Sequence, residues 1–256
     1  MKLGQTLWTR EELILAINLY CKLPFGKLHS RNTEIINLSK LIGRTPGSVA
    51  FKLVNFASLD PILKSRGIKG ASNVSNLDRE IWNEFYNNWD ELFSISETLL
   101  MKKSKTSQQE LYEIEEEGLP KFGKEREALI KVRVNQAVFR RIVLANYDYK
   151  CCITGIDQPE LIIASHILPW SIDSKNRLNP KNGLAFNALH DKAFDNGLIT
   201  ITEDFKVRVS PQLLKKPSKS VEQFFVRYHN KKILIPRKFI PDVEFLRHHN
   251  KESFLT

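Results

Sequence analysis

Residues 160–197 constrain this chain more than any other stretch, because five successive local signals fix the order of its elements. An apolar run at 160–164 reads as a short strand that leads straight to His166. A loop rich in Pro, Asn, Asp and Lys follows, up to Lys181. Asn182-Gly183 is a tight-turn signal, and 184–186 reads as a second short strand. Asn187 can cap a helix over about 188–195, which carries His190, Asp191 and Asp195, and Gly197 ends it. Beyond it, 198–202 and 205–210 read as a hairpin around Glu203-Asp204.

Around this segment the chain has room for two small domains, with 256 residues of which 42% are hydrophobic and 27% charged. No apolar run is long enough to span a bilayer, and MKLGQTLWTREEL lacks a signal core with a cleavage site, so a cytoplasmic protein is expected. Three cysteines, two of them adjacent, do not make a disulfide framework. With no CxxC pair there is no four-cysteine zinc site, and Cys151 and Cys152 read as buried apolar thiols. The net charge of +10 favours a polyanionic partner. The excess is uneven: 12 Lys/Arg against 9 Asp/Glu before residue 96, 5 against 7 over 96–125, and 22 against 13 from 126 onward.

Three helices are expected at the start. The first covers 8–23, with Thr9 and Glu12 as a capping box, and the second begins at Asn32 or Thr33 and stops at Gly43. The third begins at Thr45 with Pro46 in its first turn. The last two, joined by a short Gly-Arg turn, resemble a helix-turn-helix, which would offer Arg44, Ser48, Lys52 and Asn55 to a DNA groove. A plain bundle with a solvated polar face is the alternative. Residues 64–76 read as loop and 77–93 as one helix with Ile81, Trp82, Phe85, Trp89 and Leu92 on a single side. The polar stretch 96–125 reads as a charged linker with partial helix, and 125–147 as a long helix whose Arg133, Gln136, Arg140 and Arg141 form a basic face. The expected domains are therefore 1–95, a helical DNA-reading module, and 126–256, joined by the linker.

The order strand, His, loop, Asn turn, strand, helix with His resembles the ββα-metal nucleases of the HNH family. The phrases CCITG, ASHILPW and NPKNGLAFNALHDKAFDNGLI carry the resemblance, and NQAVFRRIVLANYDYK before them is similar to the lead-in of bacterial HNH proteins described as restriction endonucleases. The resemblance implies an α+β fold: a helix-turn-helix-like N-terminal module and a C-terminal ββα-metal domain. It implies a metal-dependent endonuclease acting on DNA, as a duplex, in restriction or defence against foreign DNA, with a homodimer compatible.

In that family pattern the signature residues are His166, Asn182 and His190. His166 takes the place of the general base, a role that suits a group titrating near neutrality. A divalent ion, Mg²⁺ first and Mn²⁺ or Ni²⁺ next, would be held by His190, with Asn182 either completing the shell or holding the loop that carries His166. Asp191 or Asp195 could substitute, and no structural zinc is expected. Many relatives place an acid or a His before the base; here that residue is Ser165, a poor ligand. Lys175, Arg177 and Lys181 flank the loop where the resemblance places DNA, and the basic segment 211–256 extends that face. Two rivals remain: a non-catalytic DNA-binding regulator on the same scaffold, and an RNA nuclease.

Overall fold

The computed structural model describes residues 6–68, 70 and 74–256. Of the loop expected over 64–76, residues 69 and 71–73 lie outside the described residues, as do residues 1–5 of the stretch read for a signal sequence. Contacts divide the chain into two units, Met1–Val138 and Phe139–Thr256. Among the described residues no helix is long and apolar enough to cross a membrane.

The first unit is helical: α1 Arg10–Lys22, α2 Thr33–Leu41, α3 Pro46–Leu59, α4 Pro61–Ser65, α5 Asn76–Phe85, α6 Trp89–Ser104, α7 Gln108–Leu111 and the first part of α8 Lys124–Asn146. The caps form as the sequence implies. Thr9 and Glu12 make a reciprocal capping box, Asn32 accepts from Glu34 N and Ile35 N, and Thr45 accepts from Ser48 N ahead of Pro46. Helix α1 is central, packing against α3, α5 and α6. Its Tyr20 meets Trp82 edge-on at 5.9 Å, and Trp82 stacks on Phe56 at 6.1 Å.

Two expectations change. The single helix over 77–93 is two, broken where Asn87 takes a left-handed φ of 77°, a conformation asparagine tolerates better than most residues. The stretch expected as a linker begins inside α6, where Glu97 is buried and accepts from Asn18 Nδ2 at 3.2 Å and from Lys22 Nζ. The same Lys22 donates to Tyr112 Oη at 2.8 Å, so a buried charge pair fastens both α6 and the segment after α7 to α1.

The second unit is α+β. Strands β1 Ile162–His166 and β2 Gly183–Asn187 pair antiparallel, with His166 opposite Gly183 and Ser165 opposite Leu184. Helix α9 Ala188–Asp195 follows without a loop, because Asn187 ends the strand and caps the helix by accepting from His190 N. A hairpin, β3 Ile199–Ile201 and β4 Val207–Val209, comes next, then α10 Pro211–Leu214, α11 Lys219–Phe224 and α12 Val243–Glu252. Every residue of β2 is buried. Gly183 is required there: a Cβ would stand 2.3 Å from Val143 Cγ2 and 3.1 Å from Phe139 Cζ.

The basic face of the long helix is largely engaged. Arg133 donates to the carbonyls of Glu115 and Glu117, within the first unit. Arg140 donates to the carbonyls of Ile162 and Pro159, within the second. A guanidinium held this way acts as a backbone clamp rather than a free phosphate ligand.

Candidate active site

Strand β1 delivers His166 at its last position. The imidazole lies flat on the Phe139 ring, with centroids 3.5 Å apart and planes 12° from parallel. Its Nε2 is 2.9 Å from the Arg177 carbonyl oxygen, and the indole Nε1 of Trp170 stands 3.1 Å from Nδ1 and 2.6 Å from Nε2. With Nε2–H donating to Arg177 O, Nδ1 is left as the acceptor for the Trp170 N–H, which lies against the same ring edge and close to both nitrogens. Burial pushes the His166 pKa down to about 4, against a smaller opposing effect of the Arg177 hydrogen bond.

Asn182 meets the loop-holding one of its two expected roles. Its Oδ1 accepts from Leu168 N at 2.8 Å, and its Nδ2 donates to Leu168 O at 3.1 Å and Asn176 O at 3.2 Å. Its own carbonyl accepts from Ile167 N at 2.9 Å. The side chain is fully buried and spent on the loop. It therefore holds the segment after His166, with its Oδ1 turned onto Leu168 N.

His190 is likewise turned inward, 1% exposed. Its Nδ1 is 3.1 Å from Asn187 Oδ1 and its Nε2 2.8 Å from the Phe224 carbonyl, with Phe225 and Tyr228 edge-on around the ring. Both nitrogens face oxygens of the fold at hydrogen-bond distance, so a metal at His190, the expected leading ligand, would have to displace Asn187 Oδ1 or the Phe224 carbonyl. The Cys151 thiol adjoins it: burial raises its pKa, but hydrogen bonds from His190, Thr154 and the backbone outweigh burial and bring it down to about 7. Cys151 is buried as expected, yet it is a polar partner of α9 rather than a plain apolar filler. The doublet and CCITG turn give no sign of this, since the partner lies far along the chain.

Asp191 remains. It is half-buried on the first turn of α9, and its pKa is raised by burial and by the charge of Asp195 one turn on, while the neighbouring Ser165 hydroxyl lowers it. Asp195 is raised too, by burial. Asp191 and Asp195 stand one helical turn apart on α9, and both carboxyls are held above their ordinary range. Among the described residues, no cluster of three or more His, Cys, Asp and Glu side chains stands arranged for a metal.

The loop residues divide. Lys175 is exposed. Arg177 is half-buried, its guanidinium 5.6 Å above the Trp170 ring and its Nε buried with no hydrogen-bond partner among the described residues. Lys181 is partly exposed, its carbonyl accepting from Asp242 N. The placement of Trp170 and Phe139 against His166 is not legible in the sequence: Trp170 stands four residues after His166 in HILPW, which is a faint signal, and Phe139 reads only as a packing residue of the long helix.

The groove-facing set proposed for the first unit also divides. Lys52 is buried and donates to both carboxylate oxygens of Asp78, at 2.8 and 2.9 Å, and Asn55 Nδ2 donates to the same group. Arg44 is bonded to Glu12 and to the carbonyls of Thr6 and Leu7, with Trp8 against its guanidinium at 4.4 Å. These three are structural in this fold because buried acids and carbonyls claim them; Ser48 alone of the four keeps part of its surface with no such bond from its side chain.

Comparison with known families agrees with this arrangement. Residues 151–202 match the family described as HNH endonuclease. No curated protein matches the chain significantly. The matched residues span the Cys151 turn, β1, the His166 loop, β2, α9 and β3. The chain thus carries, over residues 151–202, a domain of the HNH endonuclease family.

Proposed function

We propose that the second unit hydrolyses phosphodiester bonds in duplex DNA, with His166 as general base and a divalent cation at Asp191 and Asp195. The observation that carries this reading is the tether of His166. Nε2 is turned onto a backbone carbonyl, which leaves Nδ1 as the atom that takes the proton from water. The neutral imidazole this requires is favoured throughout the physiological range, because burial disfavours its charged form. Phe139 fixes the ring plane and Asn182 fixes the loop, so orientation is set before substrate arrives. When bound, a cation such as Mg²⁺ supplies charge neutralisation at the phosphate and makes water more acidic. Lys175, which is exposed, and Arg177, which is half-buried, are the assigned contacts to the nucleic-acid backbone in this reading.

The first unit is the proposed reader, through Ser48 and the exposed Phe51 on α3 rather than through Lys52 and Asn55. A role in restriction or defence against foreign DNA rests on the family resemblance.

Purified protein, supercoiled plasmid and Mg²⁺, Mn²⁺ or Ni²⁺ test the proposal, with single-stranded DNA and RNA compared at one salt concentration. Metal-dependent nicking of duplex is expected, reduced about 10² to 10⁴-fold in His166→Ala. Cleavage by His166→Ala at the wild-type rate overturns the base assignment. Binding without cleavage under every metal favours a regulator on the same scaffold.

A further inference from the structure

We propose that Trp170 caps the His166 base in the free protein, and that a nucleic-acid phosphate engaging Arg177 removes the cap. This rests on the nuclease reading above and adds to it how the base is kept idle and what releases it.

The base needs an unshared lone pair at Nδ1. In the folded chain none is on offer: Phe139 covers one face of the ring, Arg177 O lies 2.9 Å from Nε2, and the Trp170 N–H, its ring 86° to the imidazole, lies across both nitrogens, 3.1 Å from Nδ1 and 2.6 Å from Nε2. A water molecule cannot hydrogen-bond to Nδ1 while the indole occupies it. The cap is also movable. Asn182 clips the loop on both sides of Trp170, at Leu168 and at Asn176, so the chain between can swing without disturbing His166. Within that span Ser171 and Ile172 are exposed, and Trp170 itself is only half-buried.

The trigger is the residue that touches both partners. Arg177 holds the base with its carbonyl and covers the indole with its guanidinium at 5.6 Å. Its Nε is buried with no hydrogen-bond partner among the described residues, an unfavourable state for a charged donor. A phosphate oxygen satisfies that donor in a short charge-assisted bond. Drawing the guanidinium toward phosphate takes it off the indole, and the exposed Lys175 beside it adds attraction for the same group. Substrate arrival and exposure of the base then become one event.

The test uses the full chain labelled at the indole nitrogens, with the Trp170 resonance assigned from Trp170→Phe. The probe is a short duplex DNA in EDTA, so that nothing is cut. The duplex should shift the Trp170 N–H signal in the wild type and leave it in place in Arg177→Gln at saturating duplex. An unmoved signal in the wild type, or an equal shift in Arg177→Gln, overturns the proposal. In single-turnover cleavage Trp170→Phe, which keeps the ring but loses the N–H, should be about three- to tenfold faster, as expected when a binding-competent state held at a minor population is freed. Arg177→Gln should be slow, and the double variant should regain the Trp170→Phe rate. A slower Trp170→Phe enzyme with a wild-type melting temperature makes Trp170 an aid to the base and sinks the cap. If neither the wild type nor Trp170→Phe cuts with any metal, the nuclease reading fails, while the indole shift still decides whether phosphate displaces Trp170.

Discussion

At the scale of single residues, burial decides what His166 and its neighbours can do. In the free protein the imidazole pKa lies at about 4, so His166 is already deprotonated at neutral pH. Its ring signals, followed by NMR against pH without nucleic acid, should therefore show no titration near 6.5; a titration there would mean that the imidazole is solvated before substrate arrives. The same shift has a stability sign. His166 and His249 both sit at about 4 when folded, each mainly through burial, against 6.5 unfolded. As pH falls from 6.5 toward 4 the unfolded chain gains protons that the folded chain refuses, so stability drops, by on the order of 3 kcal/mol per imidazole. Urea midpoints measured across that window should fall steadily, and His249→Gln should flatten part of the slope. Ser165→Asp would set a third carboxylate beside Asp191. Calorimetry should then show tighter Mg²⁺ binding than wild type, and the metal-free variant should melt lower, because like charges crowd together.

At the scale of elements, the ββα unit depends on two adjacent positions with opposite demands. Asn182 needs every polar atom of its side chain; Gly183 needs none. Asn182→Ala leaves the Leu168 N–H and carbonyl without partners, at about 1–3 kcal/mol for each buried group left unpaired, takes one of two donors from the Asn176 carbonyl, and frees the loop. Gly183→Ala drives a methyl into Val143 and Phe139. Because Phe139 carries the His166 ring, this change should lower both the melting temperature and the cleavage rate, by at least about 1–3 kcal/mol in stability. A melting curve that matches the wild type would refute it. Much of this unit was legible beforehand. Turn, cap and strand signals at Asn182-Gly183, Asn187 and Gly197 are local chemistry, and local chemistry is what a sequence displays. What His190 does was not legible, since its partners Cys151 and Phe224 lie 39 and 34 residues away. The same holds in α3, where Lys52 looks like a groove contact until α5 brings Asp78 to it.

At the scale of the whole molecule, net charge overstates the cations free for DNA. Lys22, Arg44 and Lys52 sit in ion pairs with little exposure, and Arg140 is bound to carbonyls. The +10 read from composition is thus a count, whereas binding responds to the exposed remainder. Neutralising Lys175 or Arg177 should lower the slope of log affinity against log salt by about 1 each. Lys52→Met should leave the slope alone and instead destabilise the first unit by about 3–5 kcal/mol, through the uncompensated charge on Asp78. A changed slope for Lys52→Met would return that residue to the DNA face. Composition also concealed structure: residues 96–125 are as polar as a linker, yet Glu97 and Tyr112 close on Lys22.

The ββα unit is held from behind by residues that follow it by tens of positions. Phe224 O meets His190, Leu234 N meets Cys152 O, Phe239 O meets Asn146, Asp242 N meets Lys181 O, and Leu255 N meets Gly197 O. Synthesis proceeds from the N-terminus, so the strands and α9 leave the ribosome before any of these clamps exist. A nascent chain halted short of Phe224 carries every signature residue and the local bonds of the His166 loop, but neither the carbonyl that meets His190 Nε2 nor the clamps beyond it. The ββα unit therefore gains its full support only after these later residues have emerged.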